Sequence, residues 1–243
     1  ADYLRHPSHR VVLDELKPDL VFLSQDHHAT WAGTLRAAVI PPAPRYDYLT
    51  DQAVTLAEPP RAIVTTHPAH GLDWLLTLWC GRIHPHRPDA ELHVFSNLLD
   101  RGQSGGEVPE ALRPVLGQAL DARGQGVVIR RPLGDMGMVE AYSQARVHLY
   151  PGHTDDMGCF TLIDSQAAGL PAVARPLGAA PERVRNGQTG YVVPDDDAFA
   201  NVAGQLLTNE EVYWGMNRDA RLMQRERSWD TVAAEFESLF GKE

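Results

Sequence analysis

The sequence predicts an α/β protein whose strands lie in a doubly wound parallel sheet. Two observations carry that expectation. Short, β-rich apolar runs recur without polar alternation, as strands buried on both faces require. Segments of crossover length with helical patterning separate them, so strand and helix alternate. With 243 residues, 43% of them apolar, the chain can bury one large core or two modest ones.

In chain order, the apolar runs fall at residues 20–23, 62–64, 92–95, 127–129, 147–150, 171–174 and 191–193. Helical patterns fill 71–83, 109–123, 136–145 and 160–168. Within the first, Leu72, Trp74, Leu75, Leu78 and Trp79 recur at helical spacing and belong to the core. A short helix is expected at 27–31, and from residue 195 the chain is helical to its end. Asp195, Asp196 and Asp197 open that last stretch as an N-cap and dipole partners rather than a metal site. The Pro-rich stretch 40–44 marks a joint between a single β-unit near Leu20 and the repeated alternation that begins at Arg61. Three parts are expected: a remnant of a second domain with its linker over 1–55, a ligand-binding domain over 56–228, and a terminal helix over 229–243 returning toward the amino-terminal part. The Gly-rich stretch 100–106 lacks the spacing of a phosphate loop and reads as a mobile surface insertion.

Composition narrows the function. A formal net charge of −10 excludes nucleic acid as a partner, since that binding needs a surplus of Lys and Arg. Cys80 and Cys159 form no disulfide framework or zinc spacing, which fits a reducing cytoplasm. No apolar run is long enough to span a bilayer, and the first residues lack the regions of a signal peptide; a peripheral contact with the inner membrane face remains open. His84, His86 and His93 have no carboxylate or cysteine to complete a metal set, so no metal is expected.

The candidate site follows the strand at 147–150, where the chain turns through 151–158 into a helix. In parallel α/β sheets, ligands bind at the carboxyl ends of strands, and helix N-termini favour anions there. Asp156 precedes the helix and Asp164 lies two turns inside it, about 12 Å away by helical rise. A carboxylate accepts two hydroxyl hydrogen bonds at once and so clamps a vicinal diol. The alternative makes Asp156 an N-cap and Asp164 a solvated helix residue.

Downstream come Asp164-x-x-Ala167-Ala168-Gly169-Leu170-Pro171-Ala172-Val173-Ala174, Gly178-Ala179-Ala180-Pro181-Glu182 and Asn186-Gly187-Gln188-Thr189-Gly190 before a strand. Over residues 61–240 this order resembles the carboxyl-terminal, donor-binding domain of family 4 glycosyltransferases (glycosyl transferases group 1), retaining enzymes of the GT-B fold. Members carry a Glu, seven residues, then Glu-Ala-Met-Ala-x-Gly-x-Pro-Val-Val, followed by Gly-Gly-x-x-Glu and an Asn/Asp-Gly-x-x-Gly turn. Ser228-Trp229 matches the Ser/Thr-Trp of the family's last helix. The resemblance implies one Rossmann-like GT-B half with a partial unit of the other domain.

Residue by residue, it implies that Asp156 contacts the donor hexose and Asp164 the ribose. Met157, Gly158, Cys159 and Phe160 would hold the phosphate-sugar region, and Arg131, Pro132 and Leu133 would pack on the base. Both family glutamates are aspartates here, one methylene shorter. The loop at 65–73, which in relatives holds two fixed cations for the leaving diphosphate, offers Thr66, His67 and His70; His70 joins Asp156 as a catalytic candidate. Donor affinity should therefore fall as pH rises from about 6 to 8.

The implied function is retaining transfer of a hexose from a UDP- or GDP-linked donor to a carbohydrate or lipid-linked acceptor, with no tightly bound cofactor. Most of an acceptor domain is absent, which leaves a truncated chain or one needing a second chain to supply it. The competing reading is a non-catalytic sugar-nucleotide-binding or regulatory module.

Overall fold

The computed structural model describes residues 6–240. Residues 1–5 of the expected amino-terminal remnant and 241–243 of the terminal helix lie outside the described residues. The first unit runs α1 (Pro7–Leu16), β1 (Leu20–Phe22), α2 (Gln25–Ala29) and β2 (Ala37–Val39). Its two strands pair in parallel as a sheet of their own.

The repeated alternation forms the main sheet. Its strands are β3 (Arg61–Val64), β4 (Glu91–Phe95), β5 (Val127–Arg130), β6 (Val147–Tyr150), β7 (Ala172–Ala174) and β8 (Gly190–Val192). They are all parallel, in the order β5-β4-β3-β6-β7-β8. The crossovers are α3 (Leu72–Leu78), α4 (Asn97–Gln103) with α5 (Arg113–Asp121), α6 (Asp135–Gln144), α7 (Phe160–Ala167) and the short α8 (Ala180–Arg183). After β8 come α9 (Asp196–Thr208), α10 (Glu210–Gln224) and α11 (Trp229–Phe240).

Both faces of this sheet are covered, which is why its strands read as unbroken apolar runs. Ala62 and Val64 of β3 join one layer with Leu75, Trp79, Val115 and Phe199, while Ile63 between them joins Val139, Tyr142 and Ala167 in the opposite layer. Alternate Cβ atoms of a strand point to opposite faces, so both sets are buried by one run. Val232 of α11 packs on Ile40 and Ala43 at the joint.

The helix expected over 71–83 continues past α3 as a π-type turn, Trp79–Ile83. The stretch 100–106 needs a larger correction. Ser96 caps Leu99 N at 3.3 Å and starts α4, so residues 100–103 are helical rather than a mobile insertion. A Cβ on Gly102 would meet Val108 Cγ2 at 2.5 Å and Leu116 Cδ2 at 2.6 Å, so this glycine serves close packing. Asp195 caps α9, its Oδ1 accepting from Ala198 N at 2.8 Å.

From β3 the order runs outward through β4 to β5, and from β6 outward through β7 to β8. The reversal lies between β3 and β6, and the carboxyl ends of those two strands flank the crevice where such sheets bind ligands.

Candidate functional site

Three loops meet at that crevice: 65–71 after β3, 151–159 after β6 and 175–179 after β7. Gly178 lets the last two touch. It has φ +55°, and a Cβ there would fall 2.4 Å from His153 O and 2.5 Å from Asp156 O. Ala179 N donates to Asp156 O at 3.0 Å, tying the loops together.

Asp156 is held from both sides. Its Oδ1 accepts from Cys159 N at 2.9 Å, and its Oδ2 accepts from the buried Tyr150 hydroxyl. The N-cap of α7 is Cys159, without a side-chain cap, so Asp156 closes the turn ahead of the helix instead of capping it, and an oxygen with two lone pairs keeps capacity for a ligand hydroxyl. Cys159 adopts the left-handed region at φ 51°. Burial, reinforced by Asp156, pushes its thiol pKa up to about 12, so it is not a nucleophile.

Asp164 is only 2% exposed. Arg45, from the linker, donates its backbone N–H to Oδ1 at 2.9 Å and its Nε–H to Oδ2 at 2.8 Å. The same guanidinium reaches Asp135 at the start of α6 at 2.5 Å and the Tyr48 hydroxyl at 3.0 Å, and stacks over the Tyr48 ring. Burial raises the Asp164 pKa, and Arg45 opposes the rise. Asp164 is thus neither solvated nor open. The cation that meets it lies 119 residues away in sequence, beyond any local pattern.

The imidazoles of the β3 loop come together with one that sequence reasoning missed. His67 and His70 have ring centroids 5.2 Å apart, and His153 stacks on His70 at 4.1 Å with an interplanar angle of 15°. Burial lowers the His70 pKa, the neighbouring imidazoles lower it further, and Asp156 and Asp155 resist. Thr66 Oγ1 is buried with no hydrogen-bond partner among the described residues.

A fixed cation stands next to this loop. Arg175, just past β7, donates to Pro151 O at 2.5 Å and Gly152 O at 3.4 Å, and stacks on Trp74 at 4.2 Å. A Cβ on Gly71, at φ +81°, would meet its Nη2 at 2.7 Å. The signal for Arg175 was its place directly after a strand at the sheet's carboxyl edge.

Arg131 and Leu133 lie elsewhere, exposed on a cleft of ≈330 Å³ that they share with Phe95, His93 and Glu140. His93, at the cleft wall, is paired with Glu91 at 2.8 Å. The loop bearing Arg131 and Leu133 runs directly into Asp135 of α6, so it joins the cleft to the Arg45–Asp164 cluster.

Comparison with known proteins fits this geometry. The family model described as glycosyl transferases group 1 matches residues 62–209, which hold the main sheet, the histidine loop and both aspartates. The chain belongs to that family. This glycosyltransferase domain is 32% identical over 184 residues to a D-inositol 3-phosphate glycosyltransferase of Streptomyces scabiei, covering 67% of this chain and 40% of that protein. Another of the same name, from Thermobifida fusca, is 29% identical over 153 residues, covering 56% and 35%. The domain spans about two fifths of the first of these relatives.

Solved structures share the fold. WaaG, a glycosyltransferase involved in lipopolysaccharide biosynthesis, superposes with a TM-score of 0.69 at 14% identity, over all of this chain and 70% of that one. Anabaena HepE, in complex with UDP and glucose, gives 0.70 at 12% identity over 92% and 62%. Such neighbours are GT-B proteins, and the six-stranded parallel sheet is one half of that architecture.

Proposed function

We propose that this domain binds a nucleotide-diphosphate sugar across the crevice between β3 and β6 and supplies the donor half of a retaining hexosyl transfer. The observation that carries the reading is the convergence of Asp156, the histidine cluster and the α7 entrance on the carboxyl ends of β3 and β6, in a chain of the group 1 family. Asp156 takes the hexose hydroxyls, His67 and His70 face the diphosphate with Met157 to Phe160 at the sugar-phosphate junction, and Arg131 and Leu133 lie toward the base. The positive end of α7 and the imidazoles offset the charge that develops on the leaving diphosphate. The donor is a UDP- or GDP-sugar, as UDP in the HepE complex suggests. No further cofactor is required.

Parsing over 1–55, 56–228 and 229–243 places a fragment of the acceptor side ahead of the donor domain. The acceptor, a carbohydrate or lipid-linked alcohol, is then met by another domain or a second chain. No helix among the described residues is long and apolar enough to cross a membrane, and we place the domain in the cytoplasm, in peripheral reach of the inner membrane face.

Calorimetric titration with UDP-, GDP- and ADP-sugars tests the reading: one of them binds at micromolar to millimolar strength, and no heat from any of them, with the fold intact, overturns it. One observation favours a second reading, a binding module without turnover: Arg45 already occupies both oxygens of Asp164. Donor binding with no product, once an acceptor half is supplied, selects that reading.

A further inference from the structure

The histidines of the β3 loop replace fixed cations by groups that gain or lose a proton, and their hydrogen bonds show which of them is free to do so. His67 Nδ1 accepts from Ala69 N at 3.2 Å, and His153 Nδ1 accepts from Asp155 N at 3.1 Å. A ring nitrogen that accepts a backbone N–H carries no proton, so this arrangement engages Nδ1 of both rings and leaves their Nε2–H as the group to offer a ligand. Asp155 Oδ2 lies 3.7 Å from the same His153 nitrogen, farther off than the amide. His70 contacts both rings and, among the described residues, its imidazole makes no hydrogen bond.

We propose that His153 is a third member of the diphosphate clamp, that it and His67 act as fixed neutral Nε2–H donors, and that His70 alone takes up the proton that enters with the ligand. This rests on the donor-binding reading. The groups facing His70 set the balance. Burial weighs most against a charge on it, and His153 from the β6 loop and His67 from its own loop add to that; Asp156 and Asp155 favour one. Burial of His70 against the stacked His153 ring therefore leaves His70 neutral at pH 7 before an anion arrives. A diphosphate brings two negative charges into the crevice and reverses the balance at the one ring whose nitrogens are unengaged. The cation that Arg or Lys would hold permanently is here assembled only when the anion arrives.

Two measurements on the full chain test this. Long-range 1H–15N spectra of the free protein report tautomers without any ligand. His67 and His153 should be Nε2–H neutral rings at pH 7, and His70 should titrate below the ordinary histidine range. An Nδ1–H tautomer at His67 or His153, or a His70 charged at pH 7, overturns the inference whatever the donor does. Titration of UDP-glucose and of inorganic pyrophosphate in two buffers of different ionisation heat then counts protons. About one proton should be taken up per ligand at pH near 7.5, as expected when a group of depressed pKa is driven fully charged. His70→Gln should abolish the uptake. His153→Gln should keep it while weakening binding roughly tenfold, the worth of one hydrogen bond to a charged group. Binding without proton uptake, or uptake that survives His70→Gln, refutes the assignment and leaves donor binding intact. Absence of binding by either ligand refutes donor binding and the clamp together.

Discussion

A carboxylate that is 2% exposed has lost most of its hydration, and Asp164 regains it from one partner. Removing Arg45 leaves that charge buried and alone. Breaking a buried pair in this way costs about 3–5 kcal/mol; the Arg45 side chain is 46% exposed, so solvent screening lowers the expectation to about 1–3 kcal/mol for Arg45→Ala. The sign with pH follows from burial. The folded pKa of Asp164 lies above its unfolded value and rises further without Arg45, so the destabilisation is greatest at neutral pH and shrinks as pH falls toward the carboxylate range. Thermal melts at pH 5 and 7 measure it: the gap between wild type and variant should narrow at pH 5 and close in the double variant with Asp164→Asn. An equal gap at both values would show that the ion pair is not the cause.

Elements, rather than single residues, fix the crevice. His148 in the middle of β6 is fully buried, its Nδ1 2.8 Å from Ser165 Oγ on α7 and its Nε2 3.0 Å from Thr65 Oγ1 at the end of β3. Ser165 Oγ donates to Leu162 O, so it accepts from Nδ1–H, and Nε2 accepts from Thr65. Burial pushes the His148 pKa down to about 3. A base with a depressed folded pKa contributes stability above its unfolded value near 6.5 that is lost as pH falls, at about 1.4 kcal/mol per unit. Urea unfolding should show the wild type losing stability between pH 6.5 and 4.5 more steeply than His148→Gln; parallel slopes would remove this role. At the neighbouring loop, Gly178→Ala places a methyl group on two carbonyl oxygens at a positive φ. It should cost about 1–3 kcal/mol through strain and weaken donor binding by moving Asp156, read as a lowered Tm together with a raised Kd. A raised Kd without a stability loss would mean that the loops are not coupled as described. The strands were legible because burial on both faces writes itself as continuous apolar runs, and Asp156 and the β3 histidines because motif order located them. Arg45 and His153 were not, because each meets a partner distant in sequence; Arg175 was signalled only by its place directly after a strand. The helix at 97–103 was hidden by Gly102, although Ser96 offered a cap signal that could have found it.

Across the whole molecule, the amino-terminal unit is strapped to the main sheet by side chains from α8 and α10 and the segment after α10. Glu182 accepts from Gln25 N and Asp26 N at 2.9 and 2.8 Å, at the N-terminus of α2. Arg183 donates to Leu23 O at 2.7 Å, Arg227 to Pro41 O at 2.9 Å, and Arg225 to Thr50 O at 2.9 Å. These bonds hold the chain on both sides of Arg45, and so hold Arg45 on Asp164. The two-stranded sheet has little core of its own: its apolar residues meet the rest through Ile40, Ala43, Val21 and Val232, and a two-stranded sheet alone is marginal in water. Each strap contributes about 0.5–1.5 kcal/mol, and those to charged groups more. Glu182→Gln combined with Arg227→Gln should therefore release the first unit before the main sheet unfolds. Native-state hydrogen exchange measures this opening: amides of β1 and β2 should lose protection by ten- to hundredfold while those of β3, β4 and β6 keep theirs. If protection falls equally in both sheets, the two units share one cooperative core and the straps do not set the position of Arg45.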